Sequence, residues 1–96
     1  MDQYNFKDRI TIIIVLYREN YKILFKTLDK IRDFKKIIID NSNNAVLKNE
    51  VEANFEIEKY ILNKENTGFS AGYNQGIKLC ETDFLLILNP DCIMDN

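Results

Sequence analysis

Asn66-Thr67-Gly68-Phe69-Ser70-Ala71-Gly72-Tyr73-Asn74-Gln75-Gly76, followed after Thr82-Asp83 by Phe84-Leu85-Leu86-Ile87-Leu88-Asn89-Pro90-Asp91, decides how this chain folds. A small-residue turn opens a helix in which Ser70 is placed to cap the N-terminus. Tyr73, Ile77 and Cys80 then recur as an apolar stripe, and Gly72 and Gly76 share one face that permits close approach to a sheet. The run Phe84 to Leu88 reads as a buried strand that delivers a carboxylate through the Asn-Pro-Asp turn. Ligands of open α/β sheets bind beyond the carboxyl ends of the strands, so an acid at that place is a candidate metal and phosphate ligand.

Working outward, Ile10 to Leu16 is a continuous, largely β-branched run, the pattern of a strand covered on both faces. Asn20 is placed as the N-cap of a helix carrying Tyr21, Leu24, Phe25, Leu28 and Ile31 at helical spacing. Ile37-Ile38-Ile39 predicts a second strand, closed by the turn formers Asp40-Asn41-Ser42-Asn43-Asn44. Leu47, Val51 and Phe55 predict a helix over 45–55, and Tyr60-Ile61-Leu62 a third strand. Strands alternating with helices define an α/β class with a mainly parallel four-stranded sheet flanked by helices, a Rossmann-like arrangement. The fourth strand, buried on both faces, would leave a flat apolar edge. That edge predicts pairing with the rest of a longer domain or with another chain as a homo-oligomer.

Ninety-six residues allow one small domain with a thin core. Thirteen basic residues against fifteen acidic ones give a net charge of −2, which argues against nucleic acid as a partner. The longest apolar run is far below the roughly 20 residues that a membrane-spanning helix needs, so no transmembrane segment is expected. Cys80 and Cys92 form no CxxC pair, and the chain has no histidine, so both are expected to be reduced, buried residues of a cytoplasmic protein.

Asp40, at the end of a buried strand, is placed either to bond a base imide or ribose hydroxyl or simply to start an Asx turn. Tyr17 ends the neighbouring strand, where its ring could stack on a base or pack in the core. Asp91, on a rigid strand end, could hold Mg²⁺ or Mn²⁺ if a diphosphate supplies further oxygens. Gly68-Phe69-Ser70-Ala71-Gly72 also matches the G-x-S-x-G elbow of serine hydrolases. Against that stand the residues 64–67 between strand and serine and the missing histidine.

Taken together these segments resemble the GT-A-fold glycosyltransferases of family 2, in particular their rhamnosyltransferase-like branch. Ile10 to Tyr17 is similar to the opening strand, with Arg18 where a Tyr-Asn pair would place Asn. Asp40-Asn41-Ser42 resembles the ending of the second strand, the Asn66 to Gly76 segment resembles the branch's Asn-x-Gly-Phe-x-x-Gly-x-Asn-x-Gly, and Asn89-Pro90-Asp91 its version of Asp-x-Asp. The resemblance implies that Tyr17, Asp40, Asn66 and Asn89 bind the donor nucleotide and that Asp91 ligates Mg²⁺ or Mn²⁺. It implies inverting transfer of a sugar, with a lean towards rhamnose, from a nucleotide-diphosphate sugar to a saccharide or lipid-linked acceptor in bacterial surface polysaccharide synthesis. The general base is expected beyond Asn96, so no catalytic residue is assigned within 1–96. These residues are expected to form the donor-binding half of a domain, peripheral to the membrane at most and inactive in transfer alone. A non-catalytic nucleotide-binding remnant is the alternative, and a hydrolase using Ser70 a more distant one.

Overall fold

The computed structural model describes residues 6–18 and 20–89. Pro90, Asp91 and Cys92 therefore lie outside the described residues. A 3-10 turn at Phe6–Arg9 leads into β1 (Ile10–Leu16), α1 (Tyr21–Lys30), β2 (Lys35–Asp40), α2 (Ala45–Asn54), β3 (Lys59–Leu62), α3 (Phe69–Leu79) and β4 (Phe84–Leu88). The sheet has the order β3-β2-β1-β4, and every neighbouring pair is parallel.

The unbroken apolar run of β1 is explained by its place at the centre, with helices on both faces. Ile12, Ile14 and Leu16 point to one side, where they pack with Leu24 and Leu28 of α1 and Ile31 just after it, and with Leu47 and Val51 of α2 and Phe55 just after it. Val15, Ile37 and Ile39 belong to the opposite face, where Tyr73 and Leu79 of α3 cover them. Alternation of side chains along the strands thus sends adjacent residues into two separate cores.

The contact of α3 with the sheet depends on missing side chains. A Cβ built on Gly72 would lie 2.8 Å from Val15 Cγ1, and one on Gly76 would lie 2.5 Å from Ile13 Cγ2. The glycines lay the helix backbone directly on β1. The expected stripe holds only in part, since Tyr73 and Cys80 are half-buried while Ile77 is exposed. Glycine forms the closest approach to β1, and Tyr73 and Leu79 pack on the sheet beside it.

Asn20 caps α1 as its sequence position suggests, its Oδ1 accepting from Lys22 N at 2.8 Å and Ile23 N at 3.2 Å. The other end of α1 is closed by a side chain from β2. Lys36 is fully buried, and its ammonium donates to the carbonyls of Ile31, Arg32 and Phe34 at 3.2, 3.1 and 2.7 Å. Three donors meet three carbonyls near a helix C-terminus, where a cation also complements the helix dipole. Burial still holds the Lys36 ammonium below the ordinary lysine pKa, with Glu56 partly offsetting it.

Two expectations need correction. Ser70 does not cap α3: the helix begins at Phe69 with Gly68 at the cap, and no side chain bonds its first turn. Nor is β4 buried. Phe84, Leu85, Leu86 and Ile87 are each 39–52 % exposed, because β4 pairs only with β1 while the helices cover the other strands. No described helix is long and apolar enough to cross a membrane. Cys80 is a free, half-buried thiol.

Candidate functional site

Because all four strands are parallel, their carboxyl ends lie along one edge. The chain passes from β1 outward through β2 to β3, then returns across the sheet through α3 to β4 on the far side of β1. The topological switch therefore falls between β1 and β4, the place where open α/β sheets form a ligand crevice. Tyr17 follows β1 and Asn89 follows β4, so these two residues flank the switch. Tyr17 is half-buried, and Tyr73 of α3 donates its hydroxyl to the Leu88 carbonyl at 3.4 Å, tying the helix to the end of β4.

Asp40 lies beside Leu16 in the register and has no solvent exposure. Its Oδ1 accepts from Ser42 N at 2.8 Å and Ser42 Oγ at 2.6 Å, and its Oδ2 from Asn44 N at 3.3 Å and Tyr60 OH at 2.9 Å. A carboxylate offers about four lone-pair sites, so its accepting capacity is used within the fold. Burial, together with the Asp40 charge and hydrogen bond, drives the Tyr60 hydroxyl pKa upward and keeps it a donor. The carboxylate thus shapes the 41–44 loop, and a base could reach it only by displacing Ser42 Oγ or another of these donors.

The residue after Asp40 organises the rest of the edge. Asn41 is buried, donates from Nδ2 to the Gly68 carbonyl at 3.2 Å, and accepts at Oδ1 from Asn63 Nδ2 at 2.8 Å and Thr67 Oγ1 at 3.2 Å. Asn63 exchanges two further hydrogen bonds with Gln75, at 2.9 and 3.1 Å. Asn66 accepts from Gly68 N at 2.9 Å, closing an Asx turn that sets Gly68 at φ +86° and ψ 165°. That conformation is nearly exclusive to glycine, at a cost of about 1–3 kcal/mol for other residues. Local bonding by Asn66, rather than a cap by Ser70, therefore starts α3.

Asn41, Asn63, Thr67 and Gln75 were not singled out as site residues by the sequence reading. The available signal was that Asn41 and Asn63 each directly follow a strand, at the edge where ligands of open α/β sheets bind. Ser70 is exposed in the first turn of α3, well past the end of β3. That is not the tight strand-to-helix turn of a nucleophile elbow.

A divalent cation such as Mg²⁺ needs oxygen donors. Among the described residues, no three acidic, histidine or cysteine side chains gather to hold one. Asp40 is already engaged, Asn89 carries an amide oxygen at this edge, and Asp91 lies outside the described residues. An oxygen-only donor set of this kind suits a hard cation that takes its remaining ligands from phosphate. A hollow of about 470 Å³ at the opposite edge is lined by Arg32, Lys36 and 52–56. Its cations are spent internally, Arg32 on Asp29 and the Asn54 carbonyl and Lys36 on three carbonyls.

A parallel sheet with helices on both faces and a topological switch between β1 and β4 defines the class as a Rossmann-like α/β domain of the GT-A kind. The sequence model of glycosyl transferase family 2 matches residues 11–96, and the chain belongs to that family. No match is found among curated proteins or among solved structures.

Proposed function

We propose that residues 1–96 bind the nucleotide diphosphate of a sugar donor at the carboxyl edge of the sheet for metal-dependent glycosyl transfer. The observation that carries this reading is the β1/β4 switch point at the carboxyl edge of the sheet, with Tyr17 following β1 and Asn89 following β4, in a family 2 glycosyltransferase chain. Tyr17 supplies a ring for the base. Asp40, with both oxygens engaged, fixes the 41–44 loop at the same edge and reaches the base if Ser42 Oγ turns away. Asn66 fixes the turn that borders the pocket, and Asn89 contacts ribose or phosphate.

Asp91, with Asn89 beside it, would hold Mg²⁺ or Mn²⁺. The bound cation supplies Lewis-acid neutralisation of the diphosphate leaving group. In the transfer, an acceptor hydroxyl oxygen forms a bond to the anomeric carbon as the bond from that carbon to the diphosphate oxygen breaks. The electron pair leaves on the nucleoside diphosphate and the acceptor proton passes to a general base, with inversion at carbon. The Asn-Pro-Asp form of the motif supports rhamnose as the sugar and a saccharide or lipid-linked acceptor of bacterial surface polysaccharide synthesis. The exposed β4 edge supports association of this chain with a second copy.

Calorimetric titration with UDP and dTDP, with and without Mn²⁺, on wild type and Asp91→Asn tests the metal role. Binding strengthened by Mn²⁺ in wild type and indifferent to it in folded Asp91→Asn is expected. Equal metal dependence in both proteins would remove Asp91 from the site.

A further inference from the structure

Arg18 follows Tyr17 at the switch point and takes φ +58°, one of two non-glycine residues with positive φ among the described residues. The left-handed region suits glycine, asparagine and aspartate, so arginine there costs stability. No described hydrogen bond offsets that cost. Arg9 pairs with Asp83 and Arg32 with Asp29, whereas the exposed Arg18 bonds to no other described residue. Its one described contact is the Tyr17 ring, with the guanidinium carbon 5.1 Å from the centroid.

Backbone strain of this kind collects at ligand sites, where binding rather than folding repays it. A guanidinium is a planar fork of five donors that matches phosphate oxygens, and an aromatic ring beside it can hold the cation in place. We propose that Arg18 is a donor-binding residue, braced on Tyr17 and taking the diphosphate of the nucleotide stacked at that ring. The proposal rests on the donor-site reading above and adds the residue that recognises the phosphate charge.

The test is calorimetric titration of wild type, Arg18→Asn and Arg18→Lys with UDP, dTDP, uridine and thymidine in Mn²⁺, beside thermal melting. Arg18→Asn is expected to melt no lower than wild type, since asparagine suits the left-handed backbone. It should bind nucleosides as wild type does and bind the diphosphates about tenfold more weakly, the loss of one charge-assisted contact. Arg18→Lys should keep part of the affinity. Undiminished diphosphate binding by Arg18→Asn would overturn the assignment while leaving the donor site standing. An equal loss for nucleoside and diphosphate would also overturn it, reducing Arg18 to a brace for Tyr17. Wild type that binds neither diphosphate would remove the donor site itself, and Arg18 with it.

Discussion

Asp40→Ala is expected to lower the stability of the fold by about 3–5 kcal/mol, the summed cost of leaving several neutral donors around it without their acceptor. Two effects oppose each other at this position. Removing a buried carboxylate recovers its desolvation cost, but it also leaves the Tyr60 hydroxyl and the Ser42 and Asn44 amides without their acceptor. The buried Tyr60 hydroxyl left unsatisfied costs about 1–3 kcal/mol and the part-buried Ser42 and Asn44 amides add to it, so the orphaned donors outweigh the recovered desolvation. Against a total stability of about 5–15 kcal/mol for a domain, this is a large fraction. Asp40→Asn retains one acceptor oxygen and should lose less. Urea unfolding of both variants, combined with Tyr60→Phe in a double-mutant cycle, measures the effect and its coupling to Tyr60. A change below about 1 kcal/mol for alanine would mean that the carboxylate is not the anchor of the loop.

Gly76→Val should lower stability by about 2 kcal/mol, even though leaving glycine in a helix by itself gains about 0.5–1 kcal/mol. A Cβ at this position meets Ile13 Cγ2 at 2.5 Å, and Ile13 cannot yield. Its side chain is β-branched and stiff, it has no solvent exposure, and its strand lies between β2 and β4. Overpacking of this kind costs about 1–3 kcal/mol for the first methyl groups and more for a branched side chain. Ile13→Ala is destabilising by itself through the cavity it leaves, yet it opens the space that valine requires. The two substitutions should therefore be less harmful together than the sum of their separate effects. Strict additivity in thermal or urea unfolding would show that α3 does not rest on β1 through Gly76.

The parts of the fold set by local pattern were legible in the sequence. Ile10–Leu16 and Phe84–Leu88 have the predicted bounds, Asn20 caps α1, and α2 ends within one residue of the expected Phe55. Parallel pairing followed from the alternation of strands and helices. What escaped depended on contacts distant in sequence. Lys36 reads as a polar residue before a strand, and only the packed fold shows it closing the C-terminus of α1. Asn41 gains its role by meeting Asn63, Thr67 and Gly68, which lie more than 20 residues away in the chain. The exposure of β4 depends on which strands the helices cover, which a run of apolar residues does not encode. The start of α3 was misassigned because the serine in its first turn is a good cap by type, whereas the bond from Gly68 N to Asn66 Oδ1 sets the turn instead.

At the candidate site, the residues named from the sequence share one edge of the sheet, but residue type does not show how their atoms are used. Tyr17, Asp40, Asn66 and Asn89 all fall at the carboxyl ends of strands or in the turn beyond β3. The commitment of Asp40 to four internal donors depends on Tyr60, twenty residues further along. Arg18 was visible as a residue, but its backbone conformation and its contact with Tyr17 are properties of the folded edge.

The most direct test of the central claim is a two-dimensional amide NMR titration of the isotopically labelled chain with UDP and Mg²⁺. The donor-site account predicts shift changes concentrated at Tyr17 and Arg18, the 40–44 loop, the Asn66 to Gly68 turn and Asn89. Changes confined to the opposite edge, around Arg32, Lys36 and 52–56, with the carboxyl edge unmoved, would contradict it.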